Sequence, residues 1–509
     1  MAILSILLGL AAIGLVSLVG LAIQRLYFHP LKNIPGPKIA AVTRAYEFYY
    51  DCILIGKFYF KLNELHDKYG KYRAIHTPAQ WVNSILGPIV RISPGEVHIR
   101  DPEFFDVVYN VTNRFSKDTW FYRFLATPQG AFATESAELH RLRRKPMNRY
   151  FSPDAVRRLS KPIMNNVEKL CKRLDGLKES GDPVNLSNAF RCFVTDNTTD
   201  YVLPHGYNML GTEDFASAFN KQTKVFVIAS LWHRFFPFIF DLLLLTPRSW
   251  LKLAPPGSLE AYDFQMGIIN QTVEVSKNAK ENDNSVAAGI YNSDLPESEK
   301  APLRVVQDAR NLVGAGAETT ATTLEMIFWK VSNDPVILKR LRDELNTVAE
   351  SGGLSSFETL QKLPYLSAVV KEGLRRSISV SGRMPRFDPR NPLVYKDYVL
   401  PPGTIVSMDI PGVSLHPDAF PDPLKFDPER WLRPGEKERS ERFFVPYGRG
   451  QRICIGKEFA NVSVYLAVAN LFHRYDFEWF NTTEADLEMV HEMFAPFPGD
   501  TDGLQAYIR

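Results

Sequence analysis

The sequence predicts a mostly α-helical body with a few small β-sheets, an α+β arrangement in one domain, carried behind a single apolar helix. Three observations predict it. Helical periodicity dominates at 59–69, 155–176, 302–333, 336–350, 358–377 and 457–474. Alternating segments are confined to 89–99 and 393–410, short enough for small hairpins. The first two dozen residues hold an uncharged run that fits neither pattern, and no internal repeat or low-complexity tract interrupts the rest.

At 509 residues the chain suffices for one large domain. A net charge of +3 with 23% charged residues excludes nucleic acid as the main partner. The four cysteines, Cys52, Cys171, Cys192 and Cys454, form no CxxC and no Cys/His cluster. That excludes a zinc ribbon, a disulfide scaffold and covalent c-type haem attachment, and it fits a reducing compartment.

Taken in order, Ala2 to Ile23 carries no charge and no proline, and as a helix of about 33 Å it would cross a bilayer core. Basic residues follow it (Arg25, Lys32, Lys38), so the span reads as an uncleaved anchor, 1–24, with the N-terminus lumenal and the body cytosolic. Residues 25–42 contain Pro30, Pro35, Gly36 and Pro37 and read as a stiff, turning hinge. The body is then 43–509. Within it, 282–302 is polar and reads as an exposed loop, and 225–247 is strongly apolar but interrupted by His233, Arg234, Pro237 and Asp241. That segment is either core or a membrane-dipping lid over an apolar cavity.

The chemistry concentrates in "YGRGQRICIG", 447–456. The proline-free stretch after it starts a helix near Gly456, and a cysteine just before a helix N-terminus meets unpaired N–H groups that favour the thiolate. Gly448 and Gly450 allow a tight turn, Gly456 allows a flat ligand to approach closely, and Arg452 can pair with an anionic group on it. Thiolate, glycines and arginine together suit an axial ligand to haem iron. "VGAGAETTATTLE", 313–325, sits inside a proline-free helical run. There Gly314 and Gly316 each cost the helix about 1 kcal/mol, as if something needed space, or small residues made a packing contact. "KEGLRRS" places Glu372 and Arg375 on one helix face, and "FDPERW" follows at 426–431. "HRLRRKPMNRYFS" begins at His140.

"YGRGQRICIG" resembles the haem-binding signature F-x-x-G-x-R-x-C-x-G of the cytochromes P450, matching at Gly450, Arg452, Cys454 and Gly456, with Tyr447 in place of phenylalanine. "AGAETT" resembles the family's A-G-x-[DE]-T-T. The resemblance implies that Glu318 and Thr319 deliver the protons that dioxygen cleavage consumes. Glu372, Arg375 and Arg430 of "PERW" match a structural network that supports the cysteine loop, with Trp431 replacing phenylalanine. The His140–Arg144 spacing resembles W-x-x-x-R. It implies that His140, Arg144, Arg452 and Arg383 bind the propionates, with Arg386 the alternative to Arg383. Arg141, Arg143 and Lys145 would then either face an acidic electron donor or form a solvated surface.

The resemblance covers the whole chain and is nearest to membrane-bound fungal secondary-metabolism members of the trichodiene-oxygenase-like type. It implies the P450 fold with haem b, electrons from NADPH through a cytochrome P450 reductase, cytochrome b5 as an optional second donor, and an endoplasmic reticulum location. The implied activity is insertion of one oxygen atom from O2 into a lipophilic small molecule, a terpenoid or polyketide intermediate. A haem-thiolate isomerase, dehydratase or oxidative-coupling enzyme is the alternative, and a non-catalytic haem or lipid binder needs no proton relay. The aromatic residues Phe115, Trp120, Phe121, Phe124 and Phe132 are candidates to line the cavity. Six N-x-S/T sequons, at Asn110, Asn185, Asn197, Asn270, Asn461 and Asn481, are expected to stay unmodified on the cytosolic side. Family members run directly from "KYG" into "PIV", so residues 71–87 read as a retained intron, with splice-compatible codons at both ends, or as a surface insertion.

Overall fold

A computed structural model describes residues 2–70, 88–112, 115–278, 284–499 and 501–509. The 71–87 segment, and with it the choice between intron and insertion, lies outside the described residues. The body is built on the helix Pro302–Ser332, which starts with proline at its first turn and runs unbroken for 31 residues, about 46 Å. Its threonines turn back onto their own helix: the Thr319, Thr322 and Thr323 hydroxyls donate to the carbonyls of Ala315, Glu318 and Thr319 at 2.8, 2.9 and 3.1 Å. Helices Leu186–Val202, Ser258–Asn278, Pro364–Ser377 and Lys457–Arg474 pack around it. The last of these is apolar on nearly every side and is buried on nearly every side, with Phe472 stacked on Phe328 at 4.5 Å.

The strands form a separate layer. A five-stranded sheet runs in the order Ile89–Ser93, Glu96–Ile99, Ile405–Ser407, Arg386–Phe387, Ser116–Lys117. Only its Glu96–Ile99 and Ile405–Ser407 pair is parallel. A hairpin joins Leu393–Tyr395 to Tyr398–Leu400, and a three-stranded sheet closes the C-terminus.

The expected 155–176 helix is two, Pro153–Arg157 and Ser160–Ser180, and 358–377 divides into Phe357–Leu360 and Pro364–Ser377 at the proline. The polar 282–302 stretch is not simply a loop: Ser285 caps a buried helix Val286–Tyr291, because its alanines and Ile290 pack against the core.

Two membrane-related segments differ from expectation in detail. The apolar helix Ala2–Ile23 continues as a π-helical turn, Gln24–Phe28, and 25–42 is packed down rather than free. Arg91, buried in the first strand, donates to the carbonyls of Arg25 and Pro94 at 3.0 and 2.7 Å, while Arg25 donates to Val42. A Cβ at Gly36 would lie 2.3 Å from the Arg91 carbonyl oxygen, so only glycine fits. The 225–247 segment differs in exposure between its halves. Helix Ser217–Phe235 buries Leu231 and Arg234, whereas after Pro237 the side chains of Phe238, Leu242, Leu245, Trp250 and Leu253 are exposed.

Candidate active site

The cysteine loop is held by its ends. Gly448 and Gly450 have φ of 67° and 75°, and a Cβ at Gly450 would sit 2.4 Å from the Asn110 carbonyl oxygen. The Cys454 N–H donates to the Tyr447 carbonyl at 3.0 Å, and the Tyr447 hydroxyl donates to Asn461 Oδ1 at 2.7 Å, one turn into Lys457–Arg474. Tyrosine thus keeps the ring beside the sulfur and adds a bond phenylalanine cannot make. Cys454 is exposed; the other three cysteines are buried. Burial of its surroundings raises its thiol pKa, opposed by the Gly456 N–H and by Arg144, whose guanidinium donates to the Ile453 carbonyl at 2.6 Å.

Beside this loop lies a set of cations. Arg452 donates to the carbonyls of Thr134, Glu135 and Ser136, and burial and the neighbouring Arg386 hold it down at about 9. His140 is buried, and burial followed by the charges of Arg452, Lys117, Arg144 and Arg386 pushes it down to about 2. Lys117, 3% exposed, donates to the Phe132 carbonyl and is pushed well down by burial and by Arg386, Arg452 and Arg144. Arg386, its partner across the strand pair, donates to the Tyr122 hydroxyl at 2.6 Å. Among the described residues, Lys117, Arg144, Arg386 and Arg452 form no ion pair with a carboxylate.

Arg383 does not join them. Its guanidinium is committed to Glu47 and Glu96, each at 2.7 Å, so it already has the counter-charges that Arg386, the alternative for the propionate role, lacks. Lys117 was missed because a lone lysine in "FSKDT" carries no spacing signal. Arg143 is also taken, by Glu299 at 2.7 Å, while Arg141 and Lys145 are exposed.

The aromatic stretch makes core contacts. Phe121, Phe124 and Phe132 share a core cluster with Phe494, and Phe121 lies between the guanidiniums of Arg234 and Arg383 at 4.5 and 4.6 Å. Arg234 in turn pairs with Glu47 and Asp51 at 2.9 and 3.0 Å. Burial pushes two carboxyls of this network up, Asp51 to about 6 and Glu492 to about 7.

On the long helix the two glycines serve different ends. A Cβ at Gly316 would press on Thr198 of the neighbouring helix at 2.8 Å, so that glycine makes a packing contact; one at Gly314 would meet no atom within 4 Å. Gly314 and Ala315 are exposed near the centre of a helix exposed elsewhere only at its start, Pro302 and Leu303, and a Cβ at Gly456 would likewise meet nothing. Thr319 follows directly, but both Glu318 oxygens are engaged by Arg191, at 2.7 and 3.0 Å, and the same arginine reaches Glu325 at 2.9 Å. The only sequence signal for Arg191 was a pair of glutamates seven apart on one face with no cation three or four residues from either on their own helix.

Glu372, Arg375 and Arg430 come together in the core at 0, 1 and 2% exposure. The Glu372 carboxylate accepts five hydrogen bonds, from Arg375 Nε and Nη2, Arg430 Nε, the Asp427 N–H and the Trp431 indole. The tryptophan in "PERW" therefore brings a donor that phenylalanine lacks. Arg375 spends its remaining N–H groups on the carbonyls of Ser414, Pro423 and Lys425.

An exposed cysteine in a loop held by glycines, buried cations lacking a counter-charge, and a bare helix surface fit a flat dianion coordinated through sulfur. The sequence model of one family, Cytochrome P450, matches residues 62–495. The chain is 34% identical to Cytochrome P450 monooxygenase sdnE of Sordaria araneosa, over 99% of this chain and 98% of that protein. It is also 34% identical to Conidiogenone synthase PchP450 of Penicillium rubens, over 93% of both chains. It is 32% identical to N-acetyltryptophan 6-hydroxylase ivoC of Emericella nidulans, over 94% of this chain and 92% of that one.

Proposed function

The chain belongs to the cytochrome P450 family, and from that premise we propose which of its residues act and on what class of molecule. It is a haem b monooxygenase of the fungal secondary-metabolism type, drawing electrons from an NADPH-dependent reductase. The reaction takes substrate RH, O2, two electrons and two protons to ROH and water. Bound haem supplies the reduction and cleavage of dioxygen and the transfer of one oxygen atom. Cys454 holds the iron through its sulfur. Arg144, Arg386, Arg452 and Lys117, with His140 among them, neutralise the propionates. Glu318 and Thr319 supply protons, and the Glu372–Arg375–Arg430 network holds the chain beneath the cysteine loop in register.

The observation that carries this reading is the uncompensated charge: four buried or half-buried cations gathered next to the one exposed cysteine. Burying that much charge unpaired is costly, so the fold is complete only with a dianion there. Cys454→Ser tests it. The reduced, carbon-monoxide-treated protein should lose the red-shifted Soret band of thiolate ligation, and a band that survives unchanged would sink the assignment.

The substrate is a lipophilic terpenoid or polyketide intermediate. Two features support that reading: the apolar side chains exposed from Phe238 to Leu253, and the N-terminal span, which together set the body on a membrane. That membrane is the endoplasmic reticulum, where the reductase and cytochrome b5 reach the face carrying Arg141 and Lys145. Titrating the Soret band with a diterpene hydrocarbon and with N-acetyltryptophan separates the classes. The diterpene should shift it at the lower concentration, and the reverse order would overturn the choice.

A further inference from the structure

Arg191, Glu318 and Glu325 form a buried assembly with one charge too many. Glu318 and Glu325 stand seven residues apart on one face of the long helix, and a single arginine from Leu186–Val202 serves both. Two carboxylates against one guanidinium leave a net negative charge in a partly desolvated place, and the inexpensive way to remove it is to keep one proton on the pair. The two acids are not equivalent. Glu318 is held bidentate, both oxygens accepting from Arg191, whereas Glu325 accepts from Nη1 alone of that guanidinium and has as its other partner the Ser187 hydroxyl, a group that can accept as well as donate. Glu325 is also the more deeply buried, with its side chain 10% exposed against 17%. Burial raises its carboxyl pKa, against the pull of Arg191 and with the repulsion of Glu318.

Both acids line a cleft of about 490 Å³. Ser187, Asn188 and Arg191 line it with them, and its lining extends to the well-exposed Lys221 and Asp502, paired with each other at 3.2 Å. Each turnover consumes two protons, and a carboxylate clamped at both oxygens must be recharged from somewhere. We propose that Glu325 is the proton reserve for Glu318, passing its hydrogen to the Glu318 carboxylate and regaining one from solvent through this cleft. Arg191 stays charged throughout and exchanges hydrogen bonds between the two acids as the proton moves. No bond other than O–H forms or breaks; the net charge of the trio is unchanged by the transfer between the two acids, falls by one when Glu318 gives its proton up, and is restored when Glu325 regains one from solvent. The inference rests on the reading that Glu318 and Thr319 supply protons.

The test uses the full-length holoenzyme with an NADPH-dependent reductase, NADPH and O2, without added substrate. Peroxide release and the ratio of rates in H2O and D2O are measured for Glu325→Gln, Glu325→Asp and Glu318→Gln. Glutamine mimics the protonated acid, so Glu325→Gln should keep the thiolate Soret band while NADPH oxidation slows roughly tenfold. Its solvent isotope effect should rise, a larger share of O2 should leave as hydrogen peroxide, and Glu325→Asp should restore part of the rate. If Glu325→Gln matches wild type while Glu318→Gln does not, the reserve is overturned and the Glu318–Thr319 reading stands. If neither variant changes, that reading fails and the inference fails with it. A slowed Glu325→Gln that has lost the Soret band, without rescue by aspartate, means a structural role and overturns it too.

Discussion

Two charged assemblies a short way apart in this molecule are built on opposite plans. Around Glu372 the chain closes its own account of hydrogen bonds: five donors meet the carboxylate, and carbonyls take what remains of Arg375. Around His140 it leaves Lys117, Arg144, Arg386 and Arg452 facing one another with carbonyls and a phenol for company. Saturation marks a part that holds the fold, and deficiency marks a part that awaits a ligand. The same residue type, arginine, serves both, so identity alone does not tell the roles apart.

The sharpest way to break the contrast is to spoil the saturated assembly. Glu372→Gln strands two buried guanidiniums and should cost about 3–5 kcal/mol, measured by urea unfolding, with little haem retained after purification. A variant that keeps its stability would make Glu372 no more structural than the cluster. Next comes the pair of arginines three residues apart. Arg386→Gln should weaken haem binding roughly ten- to hundredfold in a transfer assay to apomyoglobin, with the fold intact. Arg383→Gln should instead lower the melting temperature and strand Glu47 and Glu96, leaving haem affinity nearer wild type. Equal haem loss in both would erase the distinction.

The deficient cluster should also show itself through pH. In haem-free protein His140 takes a proton only at about 2, whereas the unfolded chain takes it at 6.5. Below 6.5 the unfolded state therefore binds more protons, and stability falls as pH drops. Between pH 6.5 and 5 the loss should be about 1–2 kcal/mol by denaturant titration. His140→Trp should flatten that slope. A pH effect of opposite sign is expected in the acid-rich network at Glu47, which mirrors the cation cluster. Glu492 titrates at about 7 folded and 4.5 unfolded, so the folded state holds the extra proton, and stability is lost as pH rises through that interval. Glu492→Gln should gain roughly 3 kcal/mol over wild type at pH 8 and nothing at pH 4, read from melting temperatures.

What the sequence made legible follows the same division. Cys454, its glycines and the Glu372 network lie in short stretches whose spacing is itself the signal, and the long helix is legible from its period. Arg386 over Arg383 is not, because the choice depends on where Glu47 and Glu96 land, 336 and 287 residues away. Arg191 and Lys117 are single residues in unremarked segments, given meaning only by the helices and strands packed against them. The break at Pro237 was legible as a break, but which half would be covered depended on Arg234 finding Glu47 and Asp51.

The contact between Arg91 and the carbonyl of Arg25 has a practical consequence for anyone wanting a water-soluble form. Trimming the leader at Phe28, where the helix ends, would take away an acceptor that an interior guanidinium depends on and unsettle the first strand of the sheet. A start at Gln24 discards the greasy span yet leaves that acceptor in place. The shorter truncation should therefore yield the better-behaved protein, although it keeps more of the tail.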